Sequence, residues 1–267
     1  MLKKRVIFTL LYANGSFMLS RNFRLQKVGD LGWLQKNYNF SQTAFSIDEL
    51  IILDVSRENR DPKKFGEHVR KIAEECFVPI TVGGGLRDVD QARQLLYTGA
   101  DKIIINTLIA TGPWVVREMA AEFGSQCVVA AVDVRYSAQE FSVWTESGTK
   151  QQPISLREWI NTVVDLPIGE LYLNSMDRDG TGQGYQLEML DQLPSQMPIP
   201  LILAGGAGKH QHLSEALIDR RVDAVATANL FNFVGDGLLR SRNAMIDEGL
   251  DLAQWDVNAA KELRNVS

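Results

Sequence analysis

Short, continuous apolar runs recur along the chain at residues 5–10, 49–53, 79–82, 102–105, 127–132, 170–174, 200–204 and 224–226. They do not alternate with polar residues, which is the pattern of parallel strands covered on both faces. Between them lie stretches with helical spacing of apolar positions, among them 62–76, 89–98, 115–123 and 156–164. Asp88 and Ser155 stand just before two of these, where a side-chain oxygen caps the first free N–H groups. Eight strand–helix alternations with no Pro/Gly/Ser-rich linker predict an α/β chain folded as one closed (β/α)₈ TIM barrel over residues 1–267. An open doubly wound sheet is the alternative on pattern alone.

The chain also repeats against itself. VGGGLRDVDQARQLLYTGADKI from Val82 aligns with AGGAGKHQHLSEALIDRRVDAV from Ala204, an offset of 122 residues. ELIILDVSR from Glu49 aligns with ELYLNSMDR from Glu170 at an offset of 121, and VIFTLL from Val6 with VVAAVD from Val128 at 122. Three matches at nearly one offset predict two half-barrels, and such a repeat carries functional positions with it.

Composition narrows the function. A hydrophobic fraction of 45% and a charged fraction of 23% supply a core and an ordinary soluble surface. The net charge of -5 argues against nucleic-acid binding as the main role. No apolar run reaches membrane-span length, and MLKKRVIF is too quickly polar for a signal peptide, so a cytoplasmic protein is expected. Cys76 and Cys127 lack a CxxC or His partner and read as small buried apolar residues of a reducing compartment. The three histidines give no metal pattern, since His210 and His212 would not share a helix face; neither a metal nor another cofactor is expected.

Glycines mark the candidate ligand sites. Gly83-Gly84-Gly85 follows the third strand, and Gly205-Gly206-Ala207-Gly208 follows the seventh. After a parallel strand, such residues let backbone N–H groups turn toward an anion. The loops after strands seven and eight are the common phosphate grip of barrels. Asn106-Thr107 after strand four and Ala228-Asn229 after strand eight stand where they complete each cup. The expectation is a phosphorylated ligand held at both ends by two opposed cups.

In order along the chain, MLKKRV, TVGGGLRD, GADKIIINT, AVDVR, SMDRDGTGQGY and AGGAGK resemble the cyclase subunit of imidazole glycerol phosphate synthase over nearly the whole length. The resemblance implies a barrel docked on a glutaminase, a class I glutamine amidotransferase subunit. Ammonia from glutamine enters the barrel bottom, crosses the core and meets a bisphosphate ribonucleotide at the top. The products are imidazole glycerol phosphate and an aminoimidazole carboxamide ribotide.

Two aspartates carry acid and base work in that family, at the ends of strands one and five. Asp133 matches the second, but Leu11 stands at the first, and the internal repeat pairs the same two positions. A leucine cannot donate, accept or orient a proton; such help is typically worth ~10²–10⁴-fold in rate. The first loop differs too: Leu19 stands where the family has a basic residue, and Arg21 is the cation nearest Asn22-Phe23. Asp179, Gly180 and Thr181 match a substrate-contacting run, and Asp54 reads as structural as readily as catalytic.

At the other end of the strands, Arg5, Glu49, Lys102 and Glu170 match four residues that gate the family's ammonia path, and Asp101 matches one facing the glutaminase. The resemblance extends to paralogues that stand beside sugar amidotransferases making acetamidino sugars for surface polysaccharide, including O-antigen. That reading expects an ammonia conduit with altered chemistry. A working histidine-biosynthesis cyclase is one alternative, and a non-catalytic scaffold that activates its glutaminase is another.

Overall fold

A computed structural model describes residues 3–38, 45–229 and 236–254. Eight parallel strands close a barrel: β1 (Arg5–Ala13), β4 (Glu49–Asp54), β5 (Ile80–Gly83), β6 (Lys102–Ile105), β7 (Val128–Ser137), β10 (Glu170–Ser175), β11 (Leu201–Ala204) and β12 (Ala224–Thr227). They pair in that circular order, and β12 returns to β1. Each expected strand lies within a few residues of an observed one. The open sheet is thereby excluded.

Two antiparallel hairpins stand on the strands' C-terminal ends: β2 (Ser16–Arg21) with β3 (Arg24–Gly29), and β8 (Glu140–Thr145) with β9 (Lys150–Ser155). Helices α1 (Leu31–Asn37), α2 (Pro62–Ala73), α3 (Val89–Leu96), α4 (Thr107–Thr111), α5 (Pro113–Phe123), α6 (Leu156–Val164), α7 (His210–Ile218) and α8 (Gly237–Asp247) fill the crossovers. Asp88 accepts from Gln91 N at the start of α3, and Ser155 forms a capping box with Glu158 at α6, as the sequence predicts. The eightfold strand–helix alternation is imperfect. Between β10 and β11 the described structure has only the 3₁₀ segment Leu187–Gln192.

Strand pleating sorts the core into two shells. On β1, Val6, Phe8, Leu10 and Tyr12 face the helices, while Ile7 lies inside the barrel. The inner cluster is Ile7, Ile51, Ile104, Val129, Tyr172, Ile202, Ala204, Ala224 and Ala226. Fully burying one such aliphatic side chain is worth roughly 1.5–3 kcal/mol, so the strands are held from both faces. Arg242 of α8, 1% exposed, grips both carboxylate oxygens of Asp48 at 2.8 Å, and Asp48 Oδ2 also accepts from Val6 N at 2.7 Å. That bidentate pair fastens the last described helix to the first two barrel strands. Cys76 is buried as expected, whereas Cys127 is only half-buried because it precedes β7 in a short 3₁₀ turn. No helix among the described residues is long and apolar enough to cross a membrane.

Candidate active site at the barrel mouth

A cavity of about 950 Å³ opens at the C-terminal ends of the strands. Asp133, Leu11, Gly84, Gly85, Asn106, Thr107, Asp179, Gly180, Gly205, Gly206 and Asn229 all line it. Thr181 is the exception. Its hydroxyl donates to Arg178 O at 2.7 Å and accepts from Gln183 N at 3.3 Å, so it shapes the turn after β10.

Leu11 and Asp133 face each other across the barrel, because β1 and β7 are four strands apart in a ring of eight. The half-barrel repeat is visible in the register: Leu11 pairs with Leu53 on β4, and Asp133 pairs with Asn174 on β10. Asp133 accepts from Asn174 Nδ2 at 2.8 Å and from Asn106 Nδ2 at 3.1 Å. Burial lifts its pKa to about 7, against the pull of the Asn174 hydrogen bond, and the Asp179 charge adds to the rise. A carboxyl so placed exchanges protons near neutrality. The opposite wall offers only Leu11, 8% exposed, beside Leu53.

The cavity floor holds a feature the sequence reading missed. Tyr172 lies inside the barrel, one inward-facing position below Asn174, and lines the cavity. Its hydroxyl interacts with Thr9, which sits one inward-facing position below Leu11. Burial raises the phenol's pKa, and Asp133 and Asp179 raise it further, so it stays a proton-bearing donor.

The glycines of the two cups serve close approach. At Gly84 and Gly206 φ is +115°, and a Cβ would strike the carbonyl oxygens of Asp54 and Gly184 respectively. The polar side chains of the first cup are already engaged. Asn106 holds Asp133 and donates to Ala131 O at 3.2 Å, and Thr107 Oγ1 accepts from Glu146 N at 3.0 Å. Asp54 is tied to Ser56 N at 2.9 Å and to Arg60 Nε at 3.2 Å, with its side chain 1% exposed, which fits a structural role.

Asp179 fastens the β2–β3 hairpin. Its carboxylate accepts from Ser20 Oγ at 2.5 Å and Phe23 N at 2.9 Å, and its carbonyl accepts from Asn22 N at 2.9 Å. Gly180 lies so close to the Ser20 carbonyl that a Cβ has no room. On the other side Arg57 Nη2 donates to Phe23 O at 2.9 Å. The hairpin therefore bridges the mouth, bringing Leu19 and Arg21 to the cavity wall.

At the barrel bottom Arg5, Glu49, Lys102 and Glu170 form a closed ring of alternating charge. Arg5 pairs with Glu49 and, at 3.2 Å, with Glu170; Lys102 pairs with Glu49 at 3.0 Å and Glu170 at 2.6 Å. Burial alone depresses the pKa of Lys102 and of Arg5, but the two glutamates more than offset it, and both end raised. Asp101 is exposed beside Lys102, with Oδ2 accepting from Ile80 N at 2.8 Å.

A family model described as "Histidine biosynthesis protein" matches residues 34–235. The chain belongs to that family. Within it, the chain is 45% identical over 256 residues to a protein of Parasynechococcus marenigrum (strain WH8102) named "Putative imidazole glycerol phosphate synthase subunit hisF2", covering 96% of this chain and 95% of the relative. It is 35% identical over 250 residues to "Imidazole glycerol phosphate synthase subunit HisF" of Chlorobium limicola, covering 94% and 98%. The protein of the same name from Caulobacter vibrioides is 37% identical over 253 residues, covering 94% and 96%. This histidine biosynthesis family member is thus HisF-like over nearly its full length, as the motif order implied.

Proposed function

We propose that this chain is the ammonia-receiving barrel of a glutamine amidotransferase complex of the imidazole glycerol phosphate synthase type, with altered chemistry at the mouth. The observation that carries this reading is Leu11 opposite Asp133, above a complete charged ring. Asp133, poised near pH 7, is the proposed acid–base group. It has no second carboxylate across the cavity to share the proton transfers, and that loss corresponds to ~3–5 kcal/mol of transition-state stabilisation. The glutaminase docks at the face bearing Asp101 and the ring, and ammonia passes upward to a phosphorylated acceptor in the cups. The acceptor in this proposal is a sugar amidated for surface polysaccharide, by a sugar amidotransferase that works with the complex.

A second reading, a working cyclase in histidine biosynthesis, draws support from Tyr172. Its hydroxyl at the floor, next to Thr9 and below Leu11, is a proton donor on the side that lacks the carboxylate. One assay separates the two: imidazole glycerol phosphate formation by the native chain at saturating ammonium, which bypasses any partner. Background turnover is the expected result, together with co-elution and stimulation of the cognate glutaminase. Turnover within about tenfold of a family cyclase would replace the first reading with the second. A barrel that never co-elutes with the glutaminase would sink the conduit reading.

A further inference from the structure

The charges lining the mouth cavity divide sharply between the two half-barrels. Five arginines line it, Arg21, Arg24, Arg57, Arg60 and Arg87, and all come from the first half. The second half contributes no lysine or arginine to the lining, only the carboxylates Asp133, Glu146 and Asp179. The one first-half carboxylate, Asp54, is already paired with Arg60.

The internal repeat supplies a control for this asymmetry. Arg57 aligns with Arg178, and Arg87 aligns with Lys209. Both second-half cations are outside the cavity lining. Arg178 reaches Gln183 Oε1 at 3.4 Å, and Lys209 stands at the start of α7. The same repeat position thus faces the ligand space in one half and not in the other.

The first-half arginines are also short of partners. The side chains of Arg21, Arg24 and Arg87 make no ion pair among the described residues, and Arg57 has only the Phe23 carbonyl. Arg60 lies against Gly85 of the first cup, where a Cβ would collide with its guanidinium. A guanidinium fork matches phosphoryl oxygens, and several around one wall exceed what a single phosphate satisfies.

We propose that the first-half wall is an anion grip for a diphosphate group, with one phosphoryl at the Gly84–Gly85 cup and the adjoining one on Arg57, Arg60 and Arg87. The ligand is then asymmetric, with its heavier charge on the Leu11 side and its reacting, less charged part toward Asp133. This rests on the reading of Gly84–Gly85 as a phosphate cup.

The test is calorimetric titration of the full chain with inorganic pyrophosphate and, separately, inorganic phosphate. Pyrophosphate should bind at least about tenfold more tightly than phosphate. The double variant Arg57→Gln/Arg87→Gln changes exposed side chains without a carboxylate partner, and it should lose about tenfold in pyrophosphate affinity while keeping phosphate. The repeat-related control, Arg178→Gln/Lys209→Gln, should bind both anions like the native chain. Equal affinity for the two anions overturns the arginine grip but leaves the cup. So does an equal loss in the control pair. No binding of either anion at millimolar concentration overturns the cup reading and the grip with it.

Discussion

Replacing Asp133 by Asn should change how stability depends on pH, in a way that isolates one buried carboxylate. The native group is raised from its ordinary value of 3.8 to about 7, first by burial and then by Asp179. Between those values the folded chain holds a proton that the unfolded chain has released, so stability falls as pH rises through this window and levels off above about 7. At about 1.4 kcal/mol for each factor of ten in proton affinity, the full loss approaches 4 kcal/mol, of which roughly 3 kcal/mol lies between pH 5 and pH 8. The carboxylate opens onto the cavity, where water softens the penalty, so these figures are upper bounds. The Asn variant carries its own cost, because its amide meets the donors of Asn106 and Asn174, but that cost does not vary with pH. Urea unfolding of both proteins at several pH values gives the comparison. The native-minus-variant difference should swing by about 2–3 kcal/mol in favour of the variant between pH 5 and pH 8. Parallel profiles would show that Asp133 ionises normally and would remove the basis for assigning it proton transfer near neutrality.

Two further outcomes follow from geometry. Gly206→Ala places a Cβ against the Gly184 carbonyl at a φ of +115°, so it should cost roughly 2–3 kcal/mol in urea unfolding and weaken phosphate binding; a neutral effect on both would refute the close-approach argument. Glu49→Gln leaves Arg5 and Lys102 sharing Glu170 alone, and it should destabilise by about 3 kcal/mol, the low end for a broken buried pair because the ring is partly exposed. Adding Lys102→Met should recover part of that loss, and a double variant worse than the single would argue against a coupled ring.

The barrel strands were legible because burial on both faces leaves continuous apolar runs such as 49–53 and 102–105, which few other structures need. The repeat exposed Leu11 and Asp133 as opposed positions before any coordinates did, since a half-barrel offset of about 122 residues is half a turn of the ring. The hairpins were not legible. Segments 16–29 and 140–155 mix polar and apolar residues because each ribbon has one solvated face, and that reads as loop. The role of Asp179 was hidden for the same reason: its partners Ser20 and Phe23 are 159 and 156 residues away in sequence. Asn174 carried a signal that went unused. The repeat sets it against Leu53, and a polar residue opposite an apolar one beside Asp133 is where a partner for that carboxylate belongs. Tyr172 gave none, because a tyrosine in an apolar strand looks like ordinary core.

The ring at the barrel bottom has no loose end. Each of its four side chains holds two neighbours of opposite sign, so moving any one breaks two ion pairs together. The three that stay behind no longer balance, and in a poorly hydrated layer that imbalance pushes the next member to follow. A circuit of this kind opens as a unit or stays shut. Whatever crosses the base of the barrel meets a switch with two positions, where a single pair of charges would have made a leaky valve.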